Sequence, residues 1–518
     1  MDRPMDRLPP EVISLICSQL CFHCCYPDTM PNDDDTAIQK RKTALARFTR
    51  TSRRIEIIAR PILYHYFSAG SYPEGPRSTI FEGFVDTLIR HPHLAEYVQT
   101  LQLQCPGVQV HDNHQLDHGN HQLDHGNYQL NQIDQQQSER LRDELGITWK
   151  LADVRNGLLP RLGYYTYSHI LRRRWLEEIC ILLAPNLEAL YLKRSAGLTF
   201  AQLAESISNL RASGREPRAL SKLRTFMLHE DFYDPGSFEA YSDFLLNVPS
   251  LETFYYLPGH TGRSLGGNSL SHQSKFDQVY AGHTLGAVKT LMLTAPVVGF
   301  LQRILPLFPN LEELGINWAQ PEIDYPALAA LASPTRIKTL RTCSLTMGFM
   351  TASGRVTRPY EYRLGRDRYE TLPPDALTAF ENLEDLTLDQ AAFHYGGAED
   401  PPPPQGGATA APASQADKTD KDQRLVDVLP SSLRHLRVTC VYRTMLNDLG
   451  QLAGVHQERF PALRTVTLGF VDVMEEYRRE EIMIMREWAA DLFEDTSVIL
   501  FLGPVSWGNE DESGSEEL

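Results

Sequence analysis

One phrase recurs along this chain and restricts its fold more than any other feature: Leu-x-x-Leu-x-Leu, arriving after a helical stretch and often a proline. It reads NLEALYL at 186–192, KLRTFML at 222–228, SLETFYY at 250–256 and AVKTLML at 287–293. It returns as NLEELGI at 310–316, NLEDLTL at 382–388, SLRHLRV at 432–438 and ALRTVTL at 462–468, with weaker copies YVQTLQL at 97–103 and TLRTCSL at 339–345. Pro185, Pro249, Pro309, Pro430 and Pro461 stand just ahead of it. The last two apolar positions of a copy, such as Leu190 and Leu192, alternate as in a short strand and point to one side. The first packs from the turn that enters the strand. One such unit cannot bury its apolar face alone, so neighbouring units must stack.

Amphipathic helices fill the intervals. Thr199 is placed to cap a helix carrying Phe200, Leu203, Ile207 and Leu210, and Ser237 to cap one carrying Phe238, Tyr241, Leu245 and Val248. Strand and helix alternating in one direction give a parallel sheet with right-handed crossovers. The expected fold class is therefore α/β: a curved leucine-rich-repeat solenoid, parallel strands inside and helices outside. Counted from Leu187, the first apolar positions are 36, 28, 37, 23, 29, 43, 50 and 30 residues apart. The usual period is roughly 20–29 residues, so the array of about nine or ten units is irregular and carries insertions.

Between the inward leucines, the middle residue of each strand faces the concave side. That column runs Tyr191, Met227, Tyr255, Met292, Gly315, Ser344, Thr387, Arg437, Thr467, and a threonine-rich column runs beside it. The threonines suit a strand by β-propensity. Large apolar side chains exposed on a sheet mark binding hot spots, so Tyr191, Met227, Tyr255 and Met292 are the candidate target-binding patch. The alternative is that an inserted loop, 257–286, covers them as core.

The N-terminal stretch LPPEVISLICSQL (8–20) reads as a helix opened by Pro9 and Pro10, where missing amide hydrogens are not needed. Ile13, Ile16 and Leu20 recur at helical spacing, widened by Val12 and Leu15. A second helical stretch is expected over 44–60, with Leu45, Phe48, Ser52, Ile55, Ala59 and Ile62 on one stripe and an end or kink near Arg60, because Pro61 follows. These segments, LPPEVISLI and ALARFTRTSRRIEIIARPILY, resemble an F-box of the kind common in fungal proteins. The resemblance rests on the Leu-Pro opening, on Ser52-Arg53-Arg54 as the small residue followed by two basic ones, and on Arg60-Pro61-Ile62-Leu63-Tyr64. It covers roughly the first 67 residues, with residues 21–43 as a polar inserted loop where the family has a short one. It implies docking onto the Skp-type adaptor of a cullin ubiquitin ligase, with Leu8, Pro9, Ile13, Ile16, Leu20, Leu45 and Ile58 making that contact or the small core behind it. The chain would then be the substrate-recognition subunit, its repeats holding an unknown target protein. The alternative is a non-ligase interaction scaffold, with the N-terminal helices merely sealing the end of the repeats.

Fifty Lys and Arg against 66 Asp and Glu leave a net charge of -16, which argues against nucleic acid or an anionic membrane as partner. The start has no signal-peptide layout and no 18-residue apolar run follows, so a cytoplasmic or nuclear location is expected. The repeat region is expected over 68–508, with low-complexity insertions near 109–137 and 398–424 and an acidic tail at 509–518. His114, His118, His121 and His125 sit in a tandem HQLDHGN duplication that glycine and asparagine keep from being helical, so it reads as an expanded loop. Cys17, Cys21, Cys24 and Cys25 with His23 invite zinc; positions 17, 21 and 24 share one helical face, and burial as small apolar residues is the preferred reading. No metal or cofactor is expected. Neither a phosphate-cradling glycine loop, a G-x-S-x-G elbow nor H-E-x-x-H is present, and no catalytic residue is expected.

Overall fold

The chain divides into two compact units, Met1–Ala287 and Val288–Leu518. The computed structural model describes residues 8–26, 36–68, 78–104, 139, 143–146, 175–194, 200–230, 241–258, 283–294, 301, 304–318, 338–347, 349–350, 356–357, 377–378, 380–390, 425–439, 441, 445–470 and 476–504. The histidine-bearing duplication, the 398–424 segment, the acidic tail, Thr199, Ser237, Phe238 and most of the 257–286 loop lie outside the described residues.

In the first unit, strands β1 (Tyr66–Ser68), β2 (Thr100–Gln104), β3 (Ala189–Arg194), β4 (Thr225–Glu230) and β5 (Thr253–Pro258) pair in chain order, each parallel to the last. The second unit carries β6 (Thr290–Thr294), β7 (Glu313–Trp318), β8 (Thr342–Met347), β9 (Phe349–Met350), β10 (Val356–Thr357), β11 (Asp385–Asp389), β12 (His435–Thr439), β13 (Thr465–Phe470) and β14 (Ile499–Pro504). There β6, β7, β8, β11, β12, β13 and β14 pair in that order, all parallel, while β9 and β10 form a small antiparallel pair. Every Leu-x-x-Leu-x-Leu copy is a strand. β1 and β14 are the two parallel strands that the phrase does not mark.

The phrase works as its spacing requires. Its first apolar residue is buried in each strong copy, as at Leu187, Leu223, Leu251, Val288, Leu311, Leu383, Leu433 and Leu463. The next residue offers its carbonyl to two amides of the following repeat. Glu188 O accepts from the N–H of Arg224 and Thr225, Arg224 O from Glu252 and Thr253, and Glu312 O from Arg341 and Thr342. The polar residue ahead of the phrase ties it backwards: Asn186 Nδ2 donates to Glu96 O, Ser250 Oγ to Ser221 O and Asn382 Nδ2 to Lys338 O. These bonds satisfy backbone groups that a buried turn would otherwise leave without partners.

Between the strands' inner side and the helices lies the core. In the first unit Phe226 stacks on Phe254 at 5.6 Å and meets Phe244 at 4.8 Å, and Phe244 stacks on Phe200 at 4.7 Å. Phe200, Leu203, Ile207 and Leu210 are buried as the helical stripe predicts. The cap differs from expectation. The helix Ala201–Ala212 follows Phe200, which offers no side-chain cap, and the buried carboxylate of Glu178 accepts the Leu203 amide. Asp448 takes the Leu425 amide of the helix Leu425–Val428 in the same way. Both carboxylates meet the positive end of a helix. Among the described residues, no helix is long and apolar enough to cross a membrane.

Candidate docking sites

The N-terminal module consists of α1 (Pro10–Leu20), α2 (Phe22–Cys25), α3 (Thr36–Thr49) and α4 (Arg53–His65). Pro9 caps α1 and Pro10 opens it, where no amide hydrogen is needed. The single helix expected over 44–60 is two helices. Ser52 lies on the apolar stripe by spacing, yet its hydroxyl accepts the Ile55 amide at 3.3 Å and starts α4, while Thr49 and Thr51 donate to carbonyls three residues back. Ser and Thr compete with the helix ladder in this way. The end expected near Arg60 does not occur, because α4 runs through Pro61 to His65. Proline removes one ladder bond there, and burial of Ala59, Ile62 and Tyr66 on both sides of it keeps the helix on course. The segment read as an inserted loop, 21–43, is helical at Phe22–Cys25 and from Thr36 onward; the acidic run at 33–35 lies outside the described residues.

Ile13, Cys17, Cys21, Phe22, Ile38, Leu45, Ile55, Ala59, Ile62 and Tyr66 form the core of this module. Of the candidate adaptor contacts, Ile13 and Leu45 are core, and Leu8, Leu20 and Ile58 pack partly buried against it. Ile16 is half-buried and Pro9 exposed. Arg54 fixes the opening by donating to the Leu8 carbonyl at 2.7 Å, which gives the second of the two basic residues a structural task. The open apolar side chains are others: Leu15 is 62% exposed and Ile57 67%, with Val12 also exposed. Spacing marked Val12 and Leu15 as part of a wide stripe but could not say which edge stays uncovered.

The cysteine cluster separates. Cys17 and Cys21 are buried, as preferred from sequence, but Cys21 has extended backbone, so no single helix carries positions 17, 21 and 24. Cys25 donates to the Ser18 and Gln19 carbonyls. Cys24 lies 3.3 Å from Nδ1 of His65, a partner 41 residues away that no local spacing indicates. Lys42 places its ammonium 4.7 Å from the Phe67 ring centroid, and burial there pulls it down to about 8.

On the strands, the middle column stands in register. Gln102, Tyr191, Met227 and Tyr255 are neighbours across the first unit, and Met292, Gly315, Ser344, Thr387, Arg437 and Thr467 across the second. The four-residue open patch expected from sequence is smaller. Tyr191 is 6% and Met227 4% exposed, each flanked in register by bulky side chains on both adjacent strands. Tyr255 in the first unit and Met292 in the second are half-buried and keep accessible surface. No protein-family model matches the chain, and no curated protein resembles it in sequence.

Proposed function

We propose that this chain is the substrate-recognition subunit of a Skp–cullin–F-box ubiquitin ligase, built on irregular leucine-rich repeats. The observation that carries the reading is the set of exposed apolar side chains on the helices of the N-terminal module. Val12, Leu15 and Ile57 remain open although the opposite sides of the same helices close a complete core. Burying side chains of this size against a partner is worth about 1.5–3 kcal/mol each. The Leu-Pro opening and Ser52-Arg53-Arg54 resemble the F-box pattern, and the family docks through such helices on a Skp-type adaptor. The strand face of either unit, with Tyr255 partly open in the first and Met292 in the second, would offer a surface to the target protein. This chain then supplies proximity, and the transfer chemistry belongs to the ligase partners.

Co-purification of the full chain with a Skp-type adaptor tests the reading. Leu15→Glu and Ile57→Glu should abolish it without unfolding, since both side chains lie outside the core; Leu8→Ala with Pro9→Ala should weaken it. A wild-type chain that never retains the adaptor, while still capturing a target, would make it an interaction scaffold instead.

A further inference from the structure

We infer that Cys21, Cys24 and His65 form a binding site for a thiophilic divalent cation of the zinc class, one that fastens α2 to the end of α4. Cys21 Sγ, Cys24 Sγ and a ring nitrogen of His65 all lie within 4.8 Å of one another. The Cys24 Sγ to His65 Nδ1 separation is 3.3 Å. Tetrahedral zinc, with bonds of about 2.3 Å to sulfur and 2.0–2.1 Å to nitrogen, sets that separation at about 3.6 Å. Small rotations of side chains already in place would therefore close the set.

The surrounding fold holds these groups from two directions. Cys21 and Cys24 are a C-x-x-C pair spanning the joint between α1 and α2, where the extended backbone of Cys21 turns the chain. Phe22 packs on Tyr66 at 5.3 Å, which seats α2 beside the last residue of α4. His65 is anchored in turn, since its carbonyl accepts the Gln99 amide where β1 and β2 begin to pair. The other two cysteines are already used: Cys17 is core, and Cys25 donates to backbone carbonyls.

The fourth position is open to His23, whose ring nitrogens lie outside the close set and would have to turn toward it. Its ring lies 5.9 Å from that of His65, and its buried Nδ1 meets no hydrogen-bond partner. A buried polar atom without a partner calls for an explanation, and a cation whose ligands include this nitrogen supplies one. Binding would replace the two S–H bonds by two sulfur–metal bonds and release two protons to solvent. Two cysteines and two histidines make a closed structural set rather than an open catalytic one. The site does not depend on adaptor docking; it joins the N-terminal helices to the first strand whatever they bind.

Cobalt(II) titration of the reduced, full-length chain tests the site. One equivalent should produce the visible bands of tetrahedral cobalt with thiolate ligands, and added zinc should bleach them. Cys24→Ser and His65→Ala should each weaken binding at least tenfold, with circular dichroism confirming that the variants fold; Cys25→Ser should leave it unchanged. No bands at tenfold excess, equal bands in the Cys24 and His65 variants, or loss in Cys25→Ser would overturn the assignment. So would a Cys21–Cys24 disulfide forming in air with no metal bound by the reduced chain, which would mark a redox pair.

Discussion

Gly315 and Met292 offer the sharpest test of the strand geometry. They are register partners on β7 and β6, and a Cβ added at 315 would lie 2.0 Å from Met292 Sδ and 3.2 Å from its Cε. Ordinary contact needs about 3.5–4.0 Å, so Gly315→Ala must push the sulfur aside by about 1.5–2 Å. Methionine is flexible enough to yield, so the loss of its seat should cost about 1–2 kcal/mol, the lower part of the range for overpacking. Alanine also has fewer unfolded conformations to lose, which favours it by about 0.4–1 kcal/mol where the backbone is compatible. Gly315→Ala alone should therefore destabilise by about 1 kcal/mol, and in a Met292→Ala background it should stabilise by about 0.5 kcal/mol. Hydrogen exchange by mass spectrometry, read on peptides covering β6 and β7, measures all four corners of the cycle. An alanine cost that persists unchanged after Met292 is removed would refute the reasoning.

Three further outcomes follow from the packing. Ser52→Ala should cost about 1 kcal/mol through loss of the α4 cap, seen as faster exchange of amides 53–56 and a lower midpoint of thermal unfolding; no change in either would count against the cap. Glu178→Ala should loosen the helix Ala201–Ala212 by about 1–3 kcal/mol, because the Leu203 amide would lose its buried acceptor, whereas Glu178→Gln should keep most of the protection. Burial pushes the Cys180 thiol up and the Cys343 thiol to about 12 from an ordinary 9.0, so iodoacetamide at pH 9 should spare both until the chain unfolds. The sign for stability follows, since the folded chain keeps these protons where the unfolded chain loses them, and stability falls as pH climbs from 9 towards 12. Rapid alkylation of Cys343 in the native chain would contradict its burial.

The strands were legible because their signal is local: three apolar residues at fixed spacing determine where a strand starts and which side it buries. β1 and β14 escaped because their sequences lack that spacing. Carried back along the β1–β2 register, the phrase's first position falls on Tyr64, and along the β13–β14 register the position level with Leu463 is Ser497, so neither strand has an aliphatic residue there. At the N-terminus the apolar stripe continued through residues 50–52, so periodicity concealed the break at which the Ser52 hydroxyl competes with the ladder. The Glu178 cap and the closeness of His65 to Cys24 depend on tertiary approach over 25 and 41 residues. No periodicity encodes such meetings. The open edge at Leu15 and Ile57 was half legible: the sequence gives a stripe wider than one neighbour can cover, and only packing decides which edge is left over.

Among the described residues of each unit the parallel strands bond to those that come just before and just after them along the chain, apart from the small β9–β10 pair inserted between β8 and β11. A nick in any return segment therefore severs no ladder, and extra residues spliced into a return shift no register. Drawn out by its two ends, such an assembly would unspool one rung after another instead of giving way all at once, so a force–extension trace should climb in many small steps.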